Sequence, residues 1–198
     1  EENILASYRQ DFLDDALRIK TKYHKDFHHL NSSQAMCINF FYPLYKENKL
    51  DLVLTALGIE NEQIDYDTVC FEKTSHIDNE GGFRPTSFDF YLGTNSGLKF
   101  FFEIKYTENG FGRAKPDNEH KRKYKEVYQS NLQNIKDEYK DIGLFFAHYQ
   151  IIRNLIHIDD DSYVVFVYPQ ENVKIREGAE KTKTEMLEES AKSHFHSL

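Results

Sequence analysis

Hydrophobic and polar residues recur with two different periods along the chain, and the first is the period of an α-helix. Up to residue 58, apolar residues recur at intervals of three and four. Residues 3–28 predict one long amphipathic helix. An Asn31…Gln34 capping box begins a second, apolar helix that Pro43 is expected to end. Residues 48–58 predict a third helix, closed by Gly58.

The middle of the chain alternates with the period of β-strands. Residues 66–77, 86–92 and 98–107 predict three strands. The segments DNEGG at 78–82 and GTNSG at 93–97 have the composition of tight turns. Strands joined by such short turns form an antiparallel meander.

Helical patterns return in the second half. Residues 117–139 predict a helix that follows a basic stretch, and residues 142–158 predict an apolar helix. Residues 161–170 contain VVFVY, the pattern of a buried strand. This order of helices, meander, helices and strand predicts an α/β fold with a mixed sheet.

The C-terminal segment carries a weaker signal. KTKTEMLEESAK predicts a charged surface helix, and His194 and His196 are expected in a disordered tail. We therefore expect one domain over residues 1–198, with its core at about 30–170 and residues 171–198 at the periphery.

Composition narrows the class of protein. The chain has 198 residues, 39% hydrophobic and 15% aromatic, which is typical of a folded domain. There is no apolar run of the ~20 residues that a membrane helix needs, and the acidic first residues do not predict a signal peptide. Cys37 and Cys70 form no metal-binding pair and indicate free thiols in the cytoplasm. A net charge of −8 excludes a uniformly basic DNA-binding surface, so any nucleic-acid contact must be local.

Two acids lie in the most apolar part of the meander. Depending on where the GTNSG turn is centred, Asp89 lies opposite residue 101 or opposite Glu103. The second register would bring the two carboxylates together, with Cβ atoms ~4.5–5.5 Å apart. Alternation places Phe88, Phe90 and Leu92 on the other face of the strand.

Opposed carboxylates repel unless a cation lies between them. Mg²⁺ is held by one or two carboxylates and by water, and the carbonyl of Ile104 could add an oxygen. Lys105 lies on the same face as Glu103 and could orient a water or stabilise charge on phosphorus. The plainer interpretation is a solvated strand face with an ordinary Glu–Lys pair.

The pattern Asp89…Glu103-Ile104-Lys105, with SSQAMCINFFYPL, FRPTSFDFYL and HYQIIRNL around it, resembles the PD-(D/E)xK nuclease superfamily over about residues 30–170. The resemblance is to a bacterial, restriction-endonuclease-like branch. It departs from the name of the superfamily in that Phe88, not proline, precedes Asp89. It implies that Asp89 and Glu103 bind Mg²⁺, for which Mn²⁺ can substitute, and that Lys105 is catalytic.

Further site residues follow from the same resemblance. Superfamily members often add an earlier acid, for which Glu72 is the candidate, and a glutamine from the helix after the meander, for which Gln150 is the candidate. Arg153 lies on the same helical face as Gln150 and could contact a phosphate. Each of these three residues could instead be an ordinary surface polar group.

A local basic stretch after the third strand predicts contact with the DNA backbone, although such charge runs are also common on solvated surfaces. Its candidate residues are Arg113, Lys115, Lys121, Arg122 and Lys123. Together these features favour a metal-dependent endonuclease acting on DNA, with exonuclease activity and RNA still open and a homodimer as one way to cut two strands. The alternative is an inactive domain of the same fold that binds nucleic acid or protein.

Overall fold

The computed structural model describes residues 2–79 and 82–198, and its centre is a five-stranded mixed sheet. The strands are β1 (Ile64–Thr74), β2 (Ser87–Thr94), β3 (Lys99–Ile104), β4 (Ser162–Val167) and β5 (Phe195–Ser197), in the order β1-β2-β3-β4-β5. The pairs β1/β2 and β2/β3 are antiparallel, and β3/β4 and β4/β5 are parallel. The predicted meander and the α/β class are therefore confirmed.

Helices cover both faces of this sheet. They are α1 (Arg9–Asp14), α2 (Ala16–Lys20), α3 (Ser33–Lys46), α4 (Asp51–Ala56), α5 (Asn118–Lys123), α6 (Ile142–Ala147), α7 (Tyr149–Leu155) and α8 (Val173–Lys181). None of the helices in residues 2–79 and 82–198 is long and apolar enough to cross a membrane.

Helix α3 packs on one face of the sheet through aromatic residues. Phe41 stacks on Phe90, with ring centroids 4.0 Å apart, and meets Phe102 edge-on at 5.0 Å. Phe41, Phe90 and Phe102 are each 0% exposed. Burial of aromatic side chains is among the largest contributions to a core, so this contact fixes α3 across β2 and β3.

The other face is covered by α6 and α7. Phe145, Ile152 and Leu155 are fully buried there, in one apolar cluster with Phe101 and Phe166 of the sheet. The three helix residues lie at spacings that place them on one side of the α6–α7 segment. Helix α7 is thereby pressed against the C-terminal end of β3.

The N-terminal helix is shorter than predicted. Instead of one helix over 3–28, the chain forms α1 and α2, separated by Asp15 in an extended conformation. The Asp15 carboxylate accepts a hydrogen bond from the Leu17 backbone N–H at 2.9 Å. An aspartate favours such a capping position over a helix interior, which explains the break.

Helix α3 differs from its prediction at both ends. Its N-cap is Ser32, whose Oγ accepts from the Ala35 N–H, rather than Asn31. Pro43 lies inside the helix, which continues to Lys46. A proline removes one intrahelical hydrogen bond, but Phe41 and Tyr42 beside it are fully buried, so packing outweighs that loss.

The two helices predicted after the meander are also interrupted. In place of a helix over 117–139, α5 passes into a π-helical turn at Tyr124–Tyr128 and a 3₁₀ turn at Gln129–Asn131. The apolar helix over 142–158 is divided into α6 and α7 at His148, whose φ and ψ are −117° and 28°. Periodicity alone does not reveal such breaks, because the apolar pattern runs through them.

The prediction of a disordered C-terminal tail was wrong. After α8, Met186 and Leu187 are buried, and Phe195 of β5 packs on Phe166 with ring centroids 5.1 Å apart. Short apolar segments separated by charged residues gave little sign of this fifth strand. The predicted turn at 78–82 includes residues 80 and 81, which lie outside the described residues.

Strand β2 departs from simple alternation. Phe88 packs against Phe101 and His157, on the face opposite to Phe90, so its predicted grouping with Phe90 and Leu92 was wrong. The pairs Phe71↔Phe90 and Lys73↔Phe88 leave Glu72, with a left-handed φ of 55°, across from Asp89. A non-glycine residue rarely adopts this conformation, and the irregularity lies at a predicted site residue.

Candidate active site

The sheet brings the two predicted metal-binding acids together. In the register of β2 and β3, Phe90 pairs with Phe102, and one further step places Asp89 across from Glu103. This is the second of the two registers considered from the sequence. The Asp89 Oδ2 accepts a hydrogen bond from the Ile104 backbone N–H at 2.6 Å. Asp89 is thus fixed to the strand that carries Glu103.

Glu103 and Lys105 form a buried ion pair at the end of β3. The Lys105 Nζ lies 2.8 Å from the Glu103 Oε1, and both residues are 6% exposed. Gln150 Nε2 donates to the same oxygen at 2.8 Å, and Asn154 Nδ2 donates to Oε2 at 3.1 Å. Both oxygens of Glu103 are therefore bound by groups that face the sheet from α7.

Sequence reasoning identified Gln150 but missed Asn154. Asn154 is 1% exposed and lies four residues after Gln150, so both side chains leave the same face of α7. Two amides at this spacing in an otherwise apolar helix were the signal that could have revealed it. Each oxygen of the Glu103 carboxylate therefore accepts a hydrogen bond from an uncharged amide of α7.

The electrostatics of the acids are those of a site with excess negative charge. Burial and the nearby Glu103 carboxylate raise the pKa of Asp89 well above its ordinary value. Burial alone would lower the pKa of Lys105, but the charges of Glu103 and Asp89 outweigh it and raise that pKa. Lys105 is accordingly a firmly protonated ammonium between two acids.

Glu72 lies on β1, the strand beside β2, and is held by residues from three segments. Gln34 Nε2 donates to its Oε1 at 2.6 Å, Ser87 Oγ donates to its Oε2 at 3.1 Å, and His24 Nε2 lies 3.5 Å from Oε1. The hydrogen bond with Glu72 raises the pKa of His24. Gln34 and Ser87 were not among the predicted site residues, and their roles depend on tertiary contacts that no local pattern encodes.

These residues line one open cleft of about 920 Å³. The strand residues Glu72, Asp89, Glu103 and Lys105 lie in it beside Gln150 and Arg153 of α7. Its rim also contains backbone and side-chain groups of the segment from Arg84 to Ser87. The proposed acids, lysine and glutamine therefore share one solvent-accessible space.

The predicted basic residues differ in their surroundings. Arg113 lines the cleft, and Lys115 and Lys121 are exposed. The Arg122 guanidinium lies 4.6 Å from the centre of the Phe83 ring. Lys123 is only 4% exposed, and its Nζ donates to Asp78 at 2.9 Å and to the Arg84 carbonyl at 2.6 Å, which is a structural contact within the protein.

The cleft contains oxygen donors of the chemical type that a hard divalent cation takes. Within the described residues no three His, Cys, Asp or Glu side chains gather into a metal cluster. The candidate donors are those expected from the sequence, namely the Asp89 and Glu103 carboxylates and the Ile104 carbonyl. Mg²⁺ commonly binds one or two carboxylates and fills its other positions with water. The Asp89 Oδ1 accepts no hydrogen bond from any described residue, which leaves one carboxylate oxygen open to such an ion.

Comparison with known proteins identifies the family of the chain. A family model described as "Restriction Endonuclease associating with ARP" matches residues 1–198. No curated protein and no solved structure matches the chain. The five-stranded mixed sheet with flanking helices is the α/β architecture of a restriction-endonuclease-like fold, and the chain belongs to the family of restriction endonucleases associating with ARP.

Proposed function

We propose that the protein is a metal-dependent nuclease that hydrolyses phosphodiester bonds of DNA. The observation that carries the proposal is the apposition of Asp89, Glu103 and Lys105 in one cleft, where two acids face one lysine. An ordinary structural ion pair has no use for a second carboxylate whose ionisation burial opposes. The nuclease-like family of the chain supports the same conclusion.

Each residue then has a defined task. Asp89 and Glu103, with the Ile104 carbonyl, would hold Mg²⁺ or Mn²⁺, which when bound polarises the phosphate and lowers the pKa of water. Lys105, whose ammonium lies beside Glu103, would direct its positive charge to the reacting phosphate and orient the attacking water. Gln150 and Asn154 keep the Glu103 carboxylate in position. Glu72, on β1, adds a third acid to the cleft.

Contacts with DNA outside the reacting phosphate are proposed for the exposed basic residues. Arg113 opens into the cleft, and Lys115, Lys121 and Arg122 lie near it in sequence. Lys123 is assigned to the fold instead, because its ammonium is already bound to Asp78. Since the family description names an association with ARP, we also propose that the chain works beside such a partner.

Incubation of the pure protein with supercoiled plasmid, linear duplex and single-stranded DNA tests the proposal. Each substrate is offered with Mg²⁺, with Mn²⁺ and with EDTA, to the wild type, Lys105→Ala and Lys99→Ala. Lys99 begins the same strand at its other end and is the matched control. Cleavage that needs metal and Lys105 but not Lys99 is expected, and nicked plasmid would identify an endonuclease.

The alternative is a binding domain without catalysis. It predicts that no substrate is cut under any condition and that Mn²⁺ leaves the melting temperature unchanged. Full activity of Lys105→Ala would overturn the assignment of the lysine, even if the wild type is a nuclease.

A further inference from the structure

A buried polar network adjoins the cleft and has no part in the proposed chemistry. Its centre is Asp78, which is 0% exposed. Asp78 accepts hydrogen bonds from the Thr86 N–H, the Thr86 hydroxyl, Lys123 Nζ and Tyr128 OH. Every one of these donors is itself buried in part or in full. These buried polar groups together fix the position of Thr86.

The Thr86 hydroxyl connects this network to Arg153 of α7. It donates to Asp78 Oδ2 at 2.7 Å and accepts from Arg153 Nε at 2.9 Å. A hydroxyl has one proton, and since that proton is given to Asp78, the lone pairs of the oxygen are directed to the arginine. Thr86 is 1% exposed, so water does not compete for either bond.

The Arg153 guanidinium is bound through one nitrogen, and the described residues leave its two terminal nitrogens available to a ligand. Its guanidinium is bound through Nε to Thr86 and lies 4.9 Å from the centre of the Tyr149 ring. No described residue forms a hydrogen bond or an ion pair with its two terminal nitrogens, and the residue lines the cleft. A positively charged, pre-oriented pair of N–H donors is suited to a phosphate group, which it binds at two oxygens.

We propose that Arg153 binds a phosphate of the DNA strand next to the one that is cleaved, and that Asp78 and Thr86 are positioning residues for it. The proposal rests on the proposed function. Gln150 and Asn154 of α7 contact Glu103, whereas Arg153 contacts neither Glu103 nor Asp89. Helix α7 therefore serves the acids with two residues and a neighbouring phosphate with a third.

The test measures binding of a short fluorescein-labelled single-stranded oligodeoxynucleotide in EDTA, where no cleavage occurs. Arg153→Lys keeps the charge but loses the two-pronged donor, and Thr86→Val keeps the shape but loses the hydroxyl. Each is expected to weaken binding about tenfold, the loss of one charge-assisted contact. Thr86→Ser retains the hydroxyl and should bind like the wild type. Arg176→Lys, on α8 outside the cleft, is the matched control.

The double variant separates positioning from mere stability. If Thr86 acts through Arg153, Thr86→Val with Arg153→Lys binds no more weakly than either single variant. Independent losses that multiply, or normal binding by Arg153→Lys, would overturn the proposal. Should Thr86→Val not fold, Arg153→Lys against Arg176→Lys still decides whether the guanidinium is needed.

The outcome is distinguishable from failure of the proposed function. Binding that depends on Arg153 and Thr86, in a protein that cuts no DNA with any metal, would retain the phosphate site and reject the nuclease. Metal-dependent cleavage with normal binding by Arg153→Lys would do the reverse. Absence of any oligonucleotide binding by the wild type would reject the phosphate site outright.

Discussion

Two buried acid–lysine pairs lie near each other in this molecule, and they are built in opposite ways. Asp78 and Lys123 are 2.9 Å apart, and Glu103 and Lys105 are 2.8 Å apart. The Asp78 carboxylate has all the hydrogen-bond donors it needs, because Thr86, Tyr128 and Lys123 donate to its oxygens. Although burial opposes ionisation, the donors of Lys123 and Thr86 lower the pKa of Asp78.

The second pair contains one acid too many. Lys105 faces Glu103 and also the charge of Asp89, whose pKa is raised by burial and by Glu103. One lysine cannot neutralise both acids. The difference teaches that a buried ion pair does not by itself identify a functional site. A pair whose charges and hydrogen bonds are all satisfied supports the fold, whereas a pair with an excess acid is a candidate ligand site.

The largest expected effect distinguishes the pairs by activity. Lys105→Ala should lower DNA cleavage by about a thousandfold or more, because it removes the charge that faces the reacting phosphate. Its circular dichroism spectrum should match that of the wild type. Cleavage rates of the two proteins at equal concentration check this, with Lys99→Ala expected to cut normally. A loss of secondary structure in Lys105→Ala would make the second pair a structural one as well.

The converse expectation concerns stability. Asp78→Asn should lower the free energy of unfolding by about 3–5 kcal/mol, because it leaves the Lys123 ammonium buried without a counter-charge. Urea unfolding followed by circular dichroism measures this loss. Asp137→Asn is the control: its partner Lys140 lies at a similar distance, 2.8 Å, but the Asp137 side chain is 94% exposed. That variant should unfold at nearly the same urea concentration as the wild type, because water screens an exposed ion pair.

The stability of the region around Asp78 should depend on pH. His157 is 3% exposed and bonds Ser75 Oγ through Nε2 at 2.7 Å, and burial lowers its pKa from 6.5 to about 4. The unfolded chain therefore binds this proton more tightly than the folded one. Stability should fall as the pH falls from 6.5 to about 4, by up to about 3 kcal/mol.

The variant His157→Gln isolates that contribution. It should have a flatter stability profile than the wild type between pH 6.5 and about 4, while the difference between the two proteins stays constant at higher pH. Parallel profiles across the whole interval would show that His157 does not titrate in this way.

The smallest expected effect belongs to the unbalanced pair. Mg²⁺ or Mn²⁺ at about ten times its dissociation constant should stabilise the wild type by about 1.4 kcal/mol, seen as a higher melting temperature. Asp89→Asn should abolish the shift, since it replaces a carboxylate ligand with an uncharged amide. Asp160→Asn, in an exposed acidic turn, should retain it. An equal shift in all three proteins would place the cation elsewhere.

The sequence predicted well those features that depend on local periodicity. A period of two on each strand and the length of the turn left two registers, and the structure has the one that places Asp89 opposite Glu103. The same logic failed for Phe88, because the left-handed backbone of Glu72 lies beside it and the strand departs from regular alternation there. Local rules are reliable until a neighbouring strand distorts the ladder.

Features that depend on distant partners could not be predicted. Asp78 and Lys123 are separated by 45 residues, and neither stands out in its own segment. Gln34 reaches Glu72 across 38 residues. Strand β5 pairs with β4 because a parallel sheet edge was available, a fact about the assembled sheet and not about its own three residues. Such contacts arise only when the core brings segments together.

The Gln150 side chain joins the acid site to the loop after β3 through a single amide. Its Nε2 donates to Glu103 while its Oε1 accepts from the Gly112 backbone N–H at 2.8 Å, and the Gln150 N–H donates to the Gly112 carbonyl. One planar group therefore serves both partners, and it cannot turn towards one without leaving the other. The exchange of the Gly112 amide proton with solvent thus provides a spectroscopic reporter: a change in how Glu103 is engaged will alter the protection of a peptide group on the rim of the cleft.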